Sequence, residues 1–153
     1  MTLQRLIVGF IGLLGMTIAL QAQPDRWQQK AHYKMKIDFD VNKHQFEGEQ
    51  ELKYWNNSPD TLTKVFYHLY FNAVQPGSMM DVRSRTIADP SAKIADRISK
   101  LNQDEIGYHK IDELKQDGKI TRYEVVGTIL EVQLAKPIYP GKSSTFKMKF
   151  NSQ

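Results

Sequence analysis

Apolar and charged side chains alternate strictly from residue 33 to residue 41 of this sequence. Successive side chains of a β-strand point to opposite faces, so a period of two is typical of a strand with one buried face. A helix would scatter the same side chains around its axis. The segment therefore predicts a β-strand whose core-facing residues are Tyr33, Met35, Ile37, Phe39 and Val41.

The next two segments also read as strands, but with different patterns. The run 46–54 alternates again, although Gly48 and Gln50 interrupt its apolar side, and residues 56–60 form its turn. The run 62–71 is almost continuously apolar or aromatic. That composition predicts a strand covered on both faces.

The second half of the chain predicts further short strands separated by glycine and proline. Asp117 and Gly118 form a hairpin signal between two of them. The strands are expected at 106–114, 120–126, 128–134 and 146–150. The breaks are expected at residues 75–78, Gly127, Pro137, Pro140 and Gly141. Six or seven short strands joined in this way predict a mainly β fold, an antiparallel β-sandwich or a saddle-like curved sheet.

One short helical insertion is expected between residues 79 and 103, where the strand pattern disappears. Asp89 followed by Pro90 is a plausible helix start, with a capping carboxylate before a proline at the first helical position. Ile94, Ile98 and Leu101 then fall on one helical face. This helix is expected to pack on the sheet.

The N-terminus has the order of parts of a secretory signal peptide. Arg5 precedes an uncharged apolar run, 6–20, and Gln21, Ala22 and Gln23 follow it. We expect a signal helix over residues 1–22 and a single β-sandwich domain over residues 23–153. The apolar run is short for a membrane span, so an uncleaved anchor is the weaker alternative. The expected location is exported, whether periplasmic, cell-surface or extracellular.

Composition excludes several classes of chemistry. The chain has no cysteine, so it forms no disulfide and offers no thiolate to a metal or a substrate. Its net charge is +4, but basic and acidic side chains are interleaved rather than collected in a stripe with stacking aromatics. We therefore expect no nucleic-acid partner.

The sequence predicts no catalytic, cofactor-binding or metal-binding residue. The histidines are isolated and none is followed by glutamate, unlike the paired ligands of a hydrolytic zinc site. They are His32, His44, His68 and His109. Ser78 follows Gly77 but lacks the second glycine of a nucleophile turn.

Two other groups have simpler structural interpretations than a site. Glu47, Glu49 and Glu51 share one strand face and read as a solvated surface opposite lysine-bearing strands rather than as acid-base carboxylates. The aromatic run 67–71 reads mainly as core packing, with a carbohydrate or peptide groove as the alternative.

The segment from Asn57 to Ala73, continued by residues 75–78, resembles the N-terminal domain of aminopeptidase N type zinc metallopeptidases, the gluzincins. The alternating run 33–41 resembles that domain's opening strand. The runs 127–134 and 140–150 are similar to its middle hairpins. The resemblance implies a saddle-like β-structure that packs against a thermolysin-like catalytic domain and helps to wall the substrate cleft.

The same resemblance places the zinc ligands in the next domain, so zinc is implied only for a catalytic domain outside this sequence and no functional residue carries over. It also implies a domain that is incomplete at its C-terminus. The expected function is a non-catalytic accessory domain, or a truncated fragment, of an exported zinc aminopeptidase-like protein, with the catalytic domain as its partner. The alternatives are a stand-alone exported binding module for a peptide, glycan or protein, and a non-functional remnant.

Overall fold

The computed structural model describes residues 27–87 and 93–153 of the chain. The signal-peptide prediction and the predicted helix start at Asp89 and Pro90 fall outside these residues. The strands are β1 Lys30–Asp40, β2 Gln45–Trp55, β3 Leu62–His68, β4 His109–Gln116, β5 Lys119–Ile120, β6 Arg122–Val126, β7 Ile129–Ile138 and β8 Ser143–Ser152. One α-helix, α1, spans Met79–Thr86, and two 3-10 helices span Tyr70–Val74 and Ile98–Lys100.

The strands form two antiparallel sheets, which confirms the predicted mainly β fold. The larger sheet has five strands in the order β1-β2-β8-β4-β5, and the smaller has three in the order β3-β7-β6. Asp117 and Gly118 have φ angles of 48° and 82°, and they connect β4 to β5. Positive φ at both central residues is what a tight two-residue hairpin requires, so the predicted turn is confirmed.

The core lies between the two sheets over only part of the larger one. In the larger sheet, β2, β8 and β4 contribute apolar side chains to this core. In the smaller sheet, β7 contributes them. The buried members of this core are Leu52, Leu69, Leu114, Leu130, Val132, Leu134, Ile138, Phe146 and Met148. None of them comes from β1, so the smaller sheet covers the middle of the larger sheet and leaves its first edge open.

Two strand predictions are wrong in instructive ways. The run 62–71 is not covered on both faces, because β3 ends at His68 and lies at the edge of the smaller sheet, with Phe66 59% exposed. Pro137 does not break β7, which continues to Ile138. The pairing of β3 with β7 shifts register at this point, and such a bulge accommodates a residue that has no N–H to donate.

The described part of the insertion has its α-helix, α1, at its beginning, whereas the predicted start at Asp89 and Pro90 lies outside the described residues. Ser78 caps α1, and its hydroxyl accepts a hydrogen bond from the Asp81 N–H at 3.1 Å. Ser78 and Asp81 form a variant of the serine-x-x-acid capping pattern that marks helix starts. Residues 93–97 are turns rather than an α-helix, and the buried Ile98 opens a single 3-10 turn.

Candidate docking surface

β1 is exposed along almost its whole length on both faces. We call its uncovered apolar side chains the β1 apolar face: Tyr33, Met35, Ile37 and Phe39, with Val41 in the turn that follows. They are between 47% and 69% exposed. The prediction that they are core residues is therefore wrong. Its strand assignment holds, but the smaller sheet does not reach far enough to bury them.

One end of the β1 apolar face adjoins a cluster of aromatic rings. Phe46 of β2 lies 6.1 Å from Phe39, 6.2 Å from Phe71 and 6.2 Å from Phe150, measured between ring centroids. The last two pairs are edge to face, which is a favourable aromatic arrangement. The aromatic cluster therefore packs beside the Phe39 end of the face, since Phe39 and Phe46 are cross-strand partners.

Gly48 explains why the apolar pattern of β2 is interrupted. A Cβ atom at this position would lie 2.3 Å from Cζ of Phe150 and 2.9 Å from Cδ1 of Ile37. The side chains of the two neighbouring strands therefore lean over the glycine from both sides and meet above it. The glycine therefore leaves the space in which Phe150 and Ile37 pack at the border of the β1 apolar face.

Two buried polar atoms under this region have no hydrogen-bond partner among the described residues. They are Nε2 of Gln50, which sits opposite Met35, and the hydroxyl of Tyr67. Burial raises the pKa of Tyr67. Tyr67 lines a cleft of ≈ 340 Å³ between the β1 and β3 edges, together with Tyr33 and Phe66. Unpaired buried polar groups are costly, so these two atoms reduce the stability of the fold.

The opposite face of the larger sheet is a ladder of ion pairs. Glu49 pairs with Lys149 at 3.1 Å, and Glu51 pairs with Lys147 at 3.3 Å. The hydrogen bond from Lys149 lowers the pKa of Glu49. These glutamates are thus part of an exposed salt-bridged face, as the sequence analysis favoured, and each pair contributes little to stability on its own.

The four histidines lie in different parts of the fold. His32 is on the exposed β1, and His44 occupies the β1–β2 turn with a φ angle of 55°. His68 ends β3 and stacks on Tyr70, with ring centroids 5.3 Å apart. Residues 27–87 and 93–153 contain no group of three histidine, cysteine, aspartate or glutamate side chains arranged to hold a metal. The described donor set therefore does not fit a catalytic zinc.

His109 is held in a partly buried niche at the start of β4. Its ring stacks on Phe71 with centroids 4.4 Å apart, and Nδ1 lies 2.6 Å from the hydroxyl of Ser152. Its backbone N–H donates to the side chain of Asn72. Burial lowers the pKa of His109, because the protonated ring loses solvation there.

We expect this lowered pKa to make the protein less stable in mild acid. The unfolded chain binds the proton more readily, so the stabilising effect is complete above the unfolded pKa of about 6.5 and is lost as the pH falls below it. Urea unfolding at pH 8 and pH 5 should show a smaller acid-induced loss for His109→Gln than for the wild type. His32→Gln, on the exposed strand, is the matched control and should keep the wild-type loss. Equal losses in all three proteins would contradict this assignment.

Ser78 and the aromatic run have mainly structural roles. The hydroxyl of Ser78 caps α1 and donates to the carbonyl oxygen of Ala73 at 2.6 Å. Within the run 67–71, Tyr67 packs edge to face on Phe146 and Leu69 is buried, whereas Tyr70 is 71% exposed. The predicted core role therefore holds for part of the run only.

A second apolar surface lies between α1 and the β6–β7 turn. It is a groove of ≈ 900 Å³ lined by residues from both elements, and Arg83 is its charged member. Its apolar lining includes Met79, Met80, Ile87, Ile94, Val126 and Ile129. Met79 is 87% exposed. Sequence reasoning missed this groove because its two sides are far apart along the chain.

None of the helices in the described part of the chain is both long and apolar enough to cross a membrane.

Comparison with known proteins gives a fold similarity without sequence similarity. No protein-family model matches the chain, and no curated protein matches it. Two solved structures of a two-domain M1 zinc metallopeptidase mutant, one bound to L-tryptophan and one to L-arginine, each match with a TM-score of 0.51 and 11% identity. Each match covers 84% of this chain and 21% of the enzyme chain.

An M1 zinc metallopeptidase from Deinococcus radiodurans matches more distantly, with a TM-score of 0.43 and 12% identity over 71% of this chain and 16% of its own. That match is too distant to add to the argument. This chain thus spans about a fifth of the length of the two-domain enzymes that it matches. The comparison shows the fold alone: an antiparallel β-structure that resembles the N-terminal domain of M1 zinc metallopeptidases.

Proposed function

We propose that this chain is a non-catalytic accessory domain of an exported zinc aminopeptidase-like protein, which packs against a catalytic domain and helps to wall the peptide cleft. The observation that carries the proposal is the β1 apolar face, a row of large apolar side chains left uncovered beside a well-packed core. Contiguous exposed apolar surface of this kind is typical of protein interfaces. The fold similarity to part of the M1 zinc metallopeptidases supports the choice of partner.

The chemistry of the surface supports docking to protein rather than catalysis. Its centre is apolar and aromatic, which is typical of the centre of a protein interface. Because the described residues lack a metal-binding group, the zinc belongs in this proposal to the partner domain. The role of this chain is then to hold and shape the catalytic domain.

The test begins with the DNA on both sides of this coding region, where a frame encoding His-Glu-x-x-His would identify the catalytic domain. Mixed with that domain, the protein should form a one-to-one complex, measured by isothermal titration calorimetry. Met35→Glu should weaken the complex by at least about tenfold, or ~1.4 kcal/mol, because it buries a charge in an apolar contact. Met79→Glu changes a more exposed methionine, in the groove beside α1, and should leave the affinity unchanged.

Several results would overturn the proposal. If no reading frame beside this coding region encoded His-Glu-x-x-His, the proposed catalytic partner would not exist. If Met79→Glu weakened the complex and Met35→Glu did not, the partner would bind at the groove beside α1 and not at the β1 apolar face. Hydrolysis of an aminoacyl anilide by the pure protein with added zinc would show that the chain is itself an enzyme.

The groove beside α1 favours a second candidate function, a free-standing binding module. Its methionine side chains are flexible and adapt to apolar ligands of different shapes, and Arg83 could pair with a carboxylate at its rim. The β1 apolar face is preferred as the main functional surface because its Phe39 end packs against the aromatic cluster around Phe46.

A further inference from the structure

The first strand of the larger sheet has a free hydrogen-bonding edge. β1 pairs with β2 on one side only within the described residues, over the full length from Lys30 to Asp40. The residues just before it do not cover this edge, because the side chain of Gln29 bonds to Asn56 and to the N–H of Asn57, at the β2 side. An edge strand of eleven residues without a bulge is a ready template for another strand.

Charges alternate in sign across the polar face of the sheet up to this edge. Lys36 stands opposite Glu49, Glu49 opposite Lys149, and Lys149 opposite Glu113. The order read from the edge inwards is therefore plus, minus, plus, minus. A strand added outside β1 continues the pattern if it places a carboxylate beside Lys36.

A second row of cross-strand neighbours lies next to the first and runs through Lys34, Glu51 and Lys147. Its charges from the edge inwards are plus, minus, plus. Asp38 breaks the pattern, since it stands opposite Glu47 and forms no ion pair within 4.0 Å with the described residues. The strand that fits this edge must therefore offer carboxylates beside Lys34 and Lys36 and a cation beside Asp38.

We propose that the complementary strand is β1 of a second copy of this chain, paired antiparallel about a two-fold axis through Ile37. In this register Lys36 faces Asp38 of the second copy, and Lys34 faces its Asp40. Met35 faces Phe39, and the two Ile37 side chains meet on the axis. Every charged pair is then of opposite sign, and Asp38 gains a cation, which it lacks among residues 27–87 and 93–153 of its own chain.

Neighbouring registers are excluded by the same charges. A shift that centres the axis on Lys36 sets the two lysines against each other, and one that centres it on Asp38 sets two aspartates together. The Lys36–Asp38 pairs contribute most to the choice of register. The Lys34–Asp40 pairs contribute less, because Asp40 already accepts hydrogen bonds from the N–H groups of Asn42 and Lys43. The result is one continuous sheet through both copies.

This pairing uses the edge of β1, whereas the proposed docking to a catalytic domain uses its apolar face. Either proposal can therefore be contradicted without contradicting the other. Dimerisation is measured on this chain alone, so its outcome does not depend on finding a catalytic domain.

The first test uses a single cysteine, which is a clean reporter in a chain that has none. Directly opposed residues in an antiparallel pair have Cα atoms about 4.5–5.5 Å apart, within the range of a disulfide. Under a mild oxidant, Ile37→Cys should form a covalent dimer at least about tenfold faster than Ile120→Cys. Ile120 is also exposed, but it lies on β5 at the other edge of the sheet. Equal rates for the two variants would overturn the proposal.

The second test exchanges charges and measures the dimer by sedimentation equilibrium. Lys36→Asp and Asp38→Lys each create two like-charged pairs in a homodimer, so each variant alone should dimerise about tenfold more weakly than the wild type. A mixture of the two restores both opposite pairs and should form a heterodimer of wild-type strength. A mixture that stays monomeric while the wild type dimerises would overturn the register.

Matched controls separate this pairing from general charge attraction. Lys142→Asp and Asp60→Lys make the same changes in net charge at exposed positions away from the β1 edge. Each should dimerise alone like the wild type. A wild-type protein that remains monomeric throughout the concentration range would overturn the proposal outright.

Discussion

Replacing Phe146 by alanine is expected to lower the free energy of unfolding by about 3–5 kcal/mol. Phe146 is 1% exposed and stands between Leu52 and Gln116 on the neighbouring strands of the larger sheet. It also packs edge to face on Tyr67 of the smaller sheet, with ring centroids 6.5 Å apart. Truncation therefore opens a cavity where the two sheets meet, and strands on several sides limit how far the site can collapse.

The same chemical change on the surface provides the control. Phe66 lies on β3 and is 59% exposed, so Phe66→Ala should cost less than about 1 kcal/mol. Urea unfolding of both variants against the wild type, followed by circular dichroism, gives the comparison. Similar losses for the two variants would mean that the sheets are not packed around Phe146 as described.

The second large effect is expected at Asn56, a fully buried polar residue at the end of β2. Its Nδ2 donates to the carbonyl oxygens of Asp60 at 2.7 Å and Ile138 at 2.9 Å. Its Oδ1 accepts from the backbone N–H of Ser58 at 3.0 Å and from the Ser58 hydroxyl. One side chain thus ties the end of β2 to the turn before β3 and to the last residue of β7.

Asn56→Ala leaves two fully buried backbone groups unpaired, the carbonyl oxygen of Ile138 and the N–H of Ser58. Each unpaired group costs about 1–3 kcal/mol, so we expect a total loss of roughly 2–6 kcal/mol in the free energy of unfolding. Asn57→Ala is the matched control, because Asn57 is exposed and its side chain makes one hydrogen bond, to the carbonyl oxygen of Gln28. A thermal midpoint for Asn56→Ala close to that of Asn57→Ala would contradict the role of Asn56 as a buried link between the sheets.

The sequence predicted the strands better than it predicted their surroundings. Alternation from residue 33 to residue 41 correctly predicted β1, and Asp117 with Gly118 correctly predicted the tight turn after β4. Both signals are local, since they follow from the pleat of a strand and from the φ angles that a two-residue turn needs. The sequence prediction does not include the start of α1, because it considers Ser78 only as a candidate nucleophile and not as a helix cap.

The candidate site shows why the rest required the tertiary structure. The apolar faces of β1 and β2 have similar patterns in the sequence, yet Leu52 is 4% exposed and Tyr33, directly opposite it, is 51% exposed. The difference arises from how far the smaller sheet extends over the larger one. No residue of β1 encodes that distance.

The sequence by itself therefore determined the fold class and most of the strands, because backbone geometry converts a period of two directly into strands with two distinct faces. Only the tertiary structure decided which apolar face was buried and which remained exposed. It also decided that Asn56 links the two sheets and that β1 has a free edge with complementary charges. Burial and strand order depend on contacts between segments far apart in the chain, and those contacts are set by the packing of the whole fold.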